Sequence, residues 1–267
     1  MKTQESQQKS FDSIQINRIH EKIPSFYKNI YYFDELDSTN QWLKQHHCKI
    51  GDVVIANMQT NGRGRNGRSF FSPKNKGIYI SFLIQPKKED FLKITALCAI
   101  SLVKTIQNNY SLQPQIKWIN DIIIENKKVA GILCEGLYNY HSKKIDKMII
   151  GVGINVHSYK MPNELHKIAG CIEDYGKFVP REKIIIDFLN TFYNDYQYIH
   201  DTSTLQFYKQ HSYLLHQEID VYENNTHYKA FVKDILDDFQ LLIEVNHQEK
   251  ILQSGEVSIR KTNQQHT

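Results

Sequence analysis

Residues 59–73 read Gln-Thr-Asn-Gly-Arg-Gly-Arg-Asn-Gly-Arg-Ser-Phe-Phe-Ser-Pro, with glycine and arginine alternating at Gly62, Arg63, Gly64, Arg65, Gly67 and Arg68. Glycine lets a backbone approach a ligand closely or turn through positive φ. Arginine carries a permanent charge on a planar donor fork suited to carboxylate and phosphate oxygens. The stretch reads as a mobile loop that folds over an anionic ligand. No Gly-Lys-Ser/Thr ends it, so it is not a P-loop. No glycine-led helix follows it, as a dinucleotide fold requires; a Ser-Pro turn and another strand pattern do. Arg-Gly alternation also marks flexible RNA-binding tails, but those are long, repetitive and terminal. This loop is short, occurs once, and sits between two strand patterns.

Working outward, strands are expected at 52–58 and 77–85 on either side of the loop. Before them come a strand at 30–36 and a helix at 38–47, which Ser38 and Gln41 open with capping-box spacing. Phe91, Ile94, Leu97, Ile100, Leu102 and Ile106 recur at helical spacing, which predicts the main amphipathic helix over 90–109. Strands follow at 115–118, 121–125, 128–137 and 147–154, with a tight turn at Asn126-Lys127. Residues 162–212 read as mostly helical, Pro180 opening a long helix whose inner face carries Ile184, Ile185, Phe188, Leu189 and Phe192.

From about residue 216 the pattern changes to short alternating segments at 218–222, 228–236, 239–245, 249–253 and 256–260, with Asp237-Asp238 and Asn246 at turns. These read as an appended five-stranded β-barrel module. The expected class is α+β: a mixed sheet with helices on one side plus a small all-β domain. Residues 1–28 form a polar, loosely structured lead-in with no room for a helix-turn-helix, 29–214 the catalytic unit and 215–267 the β module.

Hydrophobic residues make up 40% and charged ones 23% of 267 residues, which excludes wholesale disorder. A net charge of +4 suits an anionic ligand or an acidic protein partner without implying nucleic acid. The histidines show no H-x-x-H or H-E-x-x-H spacing, so a histidine metal site is not expected. Cys48, Cys98, Cys134 and Cys171 are scattered, as free thiols of a reducing compartment would be. The N-terminus lacks an apolar signal core, and the apolar run around 148–154 is far shorter than a membrane span. A cytoplasmic protein is expected.

Four further clusters carry chemistry. Asp37-Ser38-Thr39-Asn40 groups hydroxyls and amides at a strand end; it is also a helix cap. Lys117-Trp118-Ile119-Asn120-Asp121 puts a cation, an aromatic plate, an amide and a carboxylate in one strand-turn; the alternative is a hairpin with Trp118 in the core. Lys128 opens a strand whose small Ala130 and Gly131 let a ligand lie against the backbone. Gly151-Val152-Gly153-Ile154-Asn155 is an apolar strand ending in an amide.

In this order and spacing the chain resembles the biotin protein ligases. The resemblance rests on Asp37-Ser-Thr-Asn40, Gln59 with the Gly62–Arg68 run, Lys117-Trp-Ile-Asn-Asp121, Lys128-Val-Ala-Gly-Ile-Leu133, Gly153-Ile-Asn155 and Gly255-Glu-Val-Ser-Ile-Arg260, spanning about 30–260. Two departures stand out: the family usually has tryptophan where this chain has Phe70, and proline where it has Ile119. The resemblance implies a core like class II aminoacyl-tRNA synthetases with an SH3-like C-terminal barrel. It implies two half-reactions: ATP and biotin give biotinyl-5′-AMP, and a lysine of a biotin carboxyl carrier domain then takes the biotin.

By that resemblance, Ser38, Thr39, Asn40, Gln59, Arg63, Gly64, Arg65 and Lys128 meet biotin. Arg68, Trp118, Asn120, Asp121 and Asn155 meet ATP, and Lys128, Arg65 and Arg63 carry the catalytic charge together with Mg²⁺. The Mg²⁺ ligands stay unassigned. Neither membrane association nor specific DNA binding is expected, and a homodimer through the sheet is left open. The rival readings are a lipoate or octanoate ligase or transferase, and a non-enzymatic RNA-binding module.

Overall fold

A computed structural model describes residues 14–87, 90–139, 143–223 and 226–253, and the backbone of 257–261. Gly255 and Glu256 of the terminal motif, and residues 1–13 of the lead-in, lie outside these.

The centre of the molecule is β3 (Gly77–Ile84), whose eight residues are all buried. Such a continuous apolar strand needs cover on both faces. Ile78, Ile80, Phe82 and Ile84 join the main core. There Phe82 meets Phe188 and Phe192 edge-on at 6.3 and 5.0 Å. Those rings belong to α5 (Arg181–Tyr196), which packs beside the expected long helix α3 (Phe91–Tyr110). The opposite face of β3 carries Tyr79, Ser81 and Leu83. It is covered by α2 (Thr39–Gln45), whose Leu43 and Trp42 pack with Val54, Leu83 and Ile149. The two long helices thus share one side, and the short α2 packs on the other.

β1 (Ile30–Phe33) runs parallel to β2 (Val53–Ala56). The remaining strands are β4 (Gln115–Lys117), β5 (Asp121–Ile124), β6 (Lys127–Asn139) and β7 (Lys144–Asn155), and every other pair in the sheet is antiparallel. The order is β1-β2-β3-β7-β6-β5-β4, a mixed sheet. The β5–β6 turn falls one residue earlier than expected. Glu125 and Asn126 both take positive φ (46° and 64°), the geometry of a type I′ hairpin, and Lys127 already belongs to β6.

The lead-in is more ordered than its polar composition suggests. Residues 16–22 form α1 (Ile16–Lys22), Ile19 is fully buried, and the Tyr27 hydroxyl donates to Leu189 O at 3.1 Å. Two or three apolar anchors suffice to dock it on α5.

After α4 (Asn163–His166) and α6 (Thr202–Gln210), the chain enters a second sheet. This comprises β8 (Glu218–Glu223), β9 (Thr226–Ile235), β10 (Leu241–Val245), β11 (Gln248–Leu252) and β12 (Val257–Lys261), ordered β11-β10-β9-β8-β12 and antiparallel throughout. It is consistent with an SH3-like domain, but among the described residues the pairings leave β11 and β12 as open ends, so no barrel is closed. The two sheets meet where Trp118 Nε1 donates to Phe239 O at 2.7 Å and the Phe239 ring stands edge-on to Tyr208 at 5.2 Å.

Tyr208 is fully buried and its hydroxyl has no hydrogen-bond partner among the described residues. Burial pushes its pKa up. An orphaned buried hydroxyl costs about 1–3 kcal/mol. Tyr208→Phe is therefore expected to leave Tm unchanged or raise it; a fall of several degrees on thermal unfolding would show that the hydroxyl is bonded. No helix among the described residues is long and apolar enough to cross a membrane.

Candidate active site

Side chains alternate across a sheet, so the face of β3, β7 and β6 turned away from α3 and α5 is written in every second residue. Across the three strands one row reads Ser81, Gly151, Leu133 and the next Tyr79, Gly153, Gly131. Three glycines in these adjoining rows leave a trough where another protein would have side chains. A cleft open to solvent lies over it. The trough is tight: a Cβ on Gly153 would sit 2.5 Å from the Phe70 ring.

The glycine–arginine loop closes the cleft as a narrow hairpin. Phe70 N donates to Gly62 O at 2.8 Å, Gly64 N to Arg68 O at 2.7 Å, and Arg68 N to Arg65 O at 3.2 Å. Asn66 and Gly67 at its tip both have positive φ (55° and 70°), which Asn-Gly tolerates best. The hairpin brings Arg63, Gly64 and Arg65 to the cleft and drops the Phe70 ring onto the paired glycines, edge-on to Tyr79 at 6.5 Å.

One end of the cleft is polar and uncharged. Ser38 caps α2, accepting from Gln41 N at 3.4 Å. The next residue, Thr39, has its N–H on Gln59 Oε1 at 2.9 Å, with Thr39 Oγ1 3.2 Å from the same oxygen. Gln59 Nε2 donates to Ser72 Oγ at 2.9 Å. Ser81 and Asn40 complete this end, Ser81 Oγ lying 2.6 Å from Asn40 Oδ1. Ser38, Thr39 and Asn40 are each at most 4% exposed, so their polar atoms are committed to this network and to whatever enters the cleft.

The other end is cationic. Lys128 is pinned by its backbone, its N–H on Ile168 O at 2.9 Å and its carbonyl accepting from Gly170 N at 3.0 Å. Its side chain lies across Gly131, where a Cβ would meet Nζ at 2.9 Å, and the ammonium stands 5.8 Å above the Phe70 ring. Lys128 Nζ is 2.7 Å from Asp121 Oδ1, an ion pair without hydrogen-bond geometry at an oxygen shielded from solvent. Arg65 donates to Asn120 Oδ1 at 3.1 Å, and Asn120 Nδ2 to Ile132 O at 3.0 Å. Burial disfavours the Arg65 charge and Asp121 partly restores it, while Arg68 adds repulsion. An incoming anion would relieve that cost.

Nine of the expected residues therefore line one cleft: Ser38, Thr39, Asn40, Gln59, Arg63, Gly64, Arg65, Asn120 and Lys128. Asp121 joins them through Lys128. Arg68 sits beside the hairpin tip, its N–H on Arg65 O, and Asn155 lies beyond the trough with Nδ2 on Gly170 O at 3.2 Å. Trp118 is buried at the junction of the two sheets.

Residues 32–155 match the model of the biotin/lipoate A/B protein ligase family. Over that span the chain is similar to this family. The Bacillus subtilis bifunctional ligase/repressor BirA is 33% identical over 180 residues, 63% of this chain and 55% of that protein. The Escherichia coli bifunctional ligase/repressor BirA is 31% identical over 125 residues, 45% of this chain and 38% of that one. The chain thus spans about half or less of these curated relatives' lengths. A biotin protein ligase from Aquifex aeolicus, solved in complex with biotin and ATP, superposes with a TM-score of 0.78 at 27% identity, covering 88% of this chain and all of that one. The cleft lies within the matched span: every residue that lines it falls between 38 and 153.

The sequence did not single out Ser81, Ser72 or Glu135, and it registered Phe70 only as a departure from the family pattern. Ser81 stands alone among apolar strand residues at a fully buried position, and a lone serine in such a run is the one signal that was available. The Asn66-Gly67 pair was a readable type I′ signature within the loop.

Proposed function

We propose that the chain is a biotin protein ligase. Its substrates would be biotin, ATP and a lysine of a biotin carboxyl carrier domain. The observation that carries this reading is the division of the cleft: a buried, uncharged polar end built on Thr39, Gln59 and Ser81, and a cationic end at Arg63, Arg65 and Lys128, joined by a glycine-floored trough. Biotin has the matching halves, an uncharged ureido ring and a carboxylate on an apolar tail. The Aquifex structure, solved with biotin and ATP, supports the same assignment.

In the first step a biotin carboxylate oxygen attacks the α-phosphorus of ATP. An O–P bond forms, the Pα–O–Pβ bond breaks, and pyrophosphate leaves. Two anions must approach, so the fixed charges of Lys128, Arg63 and Arg65 offset the repulsion, and they offset it most in the transition state. In the second step the carrier lysine's amine attacks the acyl carbon of the mixed anhydride. An amide forms, AMP departs, and the amine gives up a proton. The Gly62–Phe70 hairpin keeps water off the anhydride between steps. Arg68, Asn120, Asp121 and Asn155 we assign to the nucleotide side. Trp118 would serve it indirectly, holding the Asn120–Asp121 turn through its bond to Phe239.

No group of three or more metal-ligating side chains occurs among the described residues, and Asp121 is paired with Lys128. In this reading Mg²⁺ arrives with the nucleotide as part of the substrate, and no step is routed through a protein-held metal. Four free cysteines suit a reducing, cytoplasmic setting.

Incubation with biotin, ATP and a purified carrier domain should add one biotin mass to a single carrier lysine. Unmodified carrier alongside accumulating pyrophosphate would confine the activity to the first step. Arg65→Ala removes the hairpin's bond to Asn120 and is expected to release bound biotinyl-AMP at least about tenfold faster, the scale of one charge-assisted hydrogen bond. Retention of labelled adenylate at the wild-type rate, by rapid gel filtration, would remove Arg65 from that role.

A further inference from the structure

The polar end of the cleft is anchored by residues that do not line it. Asn40 Nδ2 donates to Leu133 O at 3.2 Å and to Glu135 Oε2 at 2.8 Å. The other oxygen of Glu135 holds Lys44 Nζ at 2.6 Å. On its opposite side Asn40 Oδ1 lies 2.6 Å from Ser81 Oγ, and Ser81 Oγ lies 2.6 Å from Thr39 Oγ1. Five side chains from α2, β3 and β6 thus form one line from the surface to the cleft wall: Lys44, Glu135, Asn40, Ser81, Thr39.

Counting protons fixes the direction of this line. A serine or threonine hydroxyl has one proton; a carboxylate and a carbonyl have none. Turning the Asn40 amide over would press its oxygen against the Glu135 carboxylate and the Leu133 carbonyl, three acceptors with no proton among them. The ionised carboxylate therefore locks the NH₂ toward Glu135 and the oxygen toward Ser81. Ser81 must then spend its only proton on Asn40 Oδ1. The Ser81–Thr39 contact, equally short, can be a hydrogen bond only if Thr39 is its donor. Thr39 has no second proton, so its 3.2 Å approach to Gln59 Oε1 carries none, and Gln59 Oε1 keeps the Thr39 N–H. Thr39 Oγ1, on the cleft wall, is left with a free lone pair.

We propose that Glu135 is a positioning residue that orders this relay, so that Thr39 presents the cleft with a hydrogen-bond acceptor and thereby selects a ligand bearing an N–H at that point. The ligand's identity rests on the biotin reading above, in which the N–H belongs to the cyclic urea. Glu135 acts on specificity from across the sheet without touching the ligand. Glu135→Gln is nearly isosteric but neutral, and its amide can face Asn40 either way round. With only the longer contact to Leu133 O left to oppose reversal, the relay can then run in both directions, and Thr39 can donate as well as accept.

The test is calorimetric binding of biotin and of the two cyclic carbamates in which one ring N–H is replaced by oxygen. Wild-type protein should bind one carbamate at least about 100-fold more weakly than biotin, because an acceptor then faces an acceptor. In Glu135→Gln that gap should shrink to about tenfold or less, with biotin itself weakened by about tenfold or less. Lys44→Met keeps the carboxylate and should keep the gap. A merely structural role for Glu135 would weaken all three ligands together; a gap unchanged in Glu135→Gln overturns the proposal. Should that variant fail to fold, Glu135→Asp, which keeps the charge but withdraws it from Asn40, serves in the same comparison.

A wild-type protein that binds no biotin would instead sink the functional reading. The relay is then judged without ligand, from the Asn40 side-chain amide in ¹⁵N-labelled protein. Its hydrogens should exchange slowly in wild type and markedly faster in Glu135→Gln, and equal exchange would overturn the ordering itself.

Discussion

Lys128→Ala is expected to cut biotin-dependent pyrophosphate exchange by roughly 10²–10⁴-fold, the scale of removing a preorganised charge stabiliser. Everything around this lysine serves to fix its ammonium. Its backbone is paired on both sides to residues 168–170, its aliphatic stem lies across Gly131, and Asp121 holds its head 2.7 Å away. A charge so placed needs no reorganisation when the two anions approach. The fold also loses something, because the shielded Asp121 oxygen is left without its cation, though both side chains are partly exposed. The expected signature is a fall in kcat far larger than the modest drop in Tm explains, read by exchange kinetics and thermal unfolding side by side at a temperature where the variant is folded. Near-normal pyrophosphate release would take Lys128 out of the mechanism.

Gly151→Ala should damage binding and stability together. A methyl at this position overlaps Asn40 Oδ1 outright. Asn40 cannot step aside cheaply, since Leu133 O, Glu135 and Ser81 all hold it. Overpacking of a tight interior costs typically about 1–3 kcal/mol, and Tm should drop by about 2–4 °C per kcal/mol for a chain of this size. Displacing Asn40 also unseats Ser81 and Thr39, so biotin affinity should fall by more than about tenfold, beyond the loss of folded protein. Titration calorimetry at a temperature where the variant is fully folded separates the two effects. Unchanged affinity would mean that the polar end tolerates movement, and that the geometry of Asn40 is not what it contributes.

Much of this site could be read from the sequence because its parts are local. The glycine–arginine loop, the Ser38 cap and the lysine-opened strand each announce themselves within a dozen residues, and each lands at the cleft. The periodicity of α3 and the alternation of the C-terminal strands were equally local, whereas the open order of the second sheet depends on pairings no single segment encodes. What stayed hidden was the closure between distant segments. Ser81 meets residues some forty positions away, and Glu135 meets Asn40 across 95. Ser81 offers only a lone serine in an apolar run, and nothing around Glu135 marks it as functional. Trp118 posed a different problem, since an aromatic in a polar turn suits a ligand plate as well as a core anchor. The structure buries it, its indole N–H on a carbonyl 121 residues later. The β5–β6 turn was misplaced by one residue because Asn126 attracts the turn assignment, while Glu125 at positive φ carries no sequence warning.

The central claim, that the two ends of the cleft receive the ring and the carboxylate of biotin for activation by ATP, is tested most directly by ATP–pyrophosphate exchange with purified protein. Biotin, lipoate and octanoate should be run in parallel. The account predicts exchange with biotin and background with the other two, because neither lipoate nor octanoate offers N–H groups to Thr39 and Gln59. Exchange driven by lipoate or octanoate, with biotin silent, would contradict it.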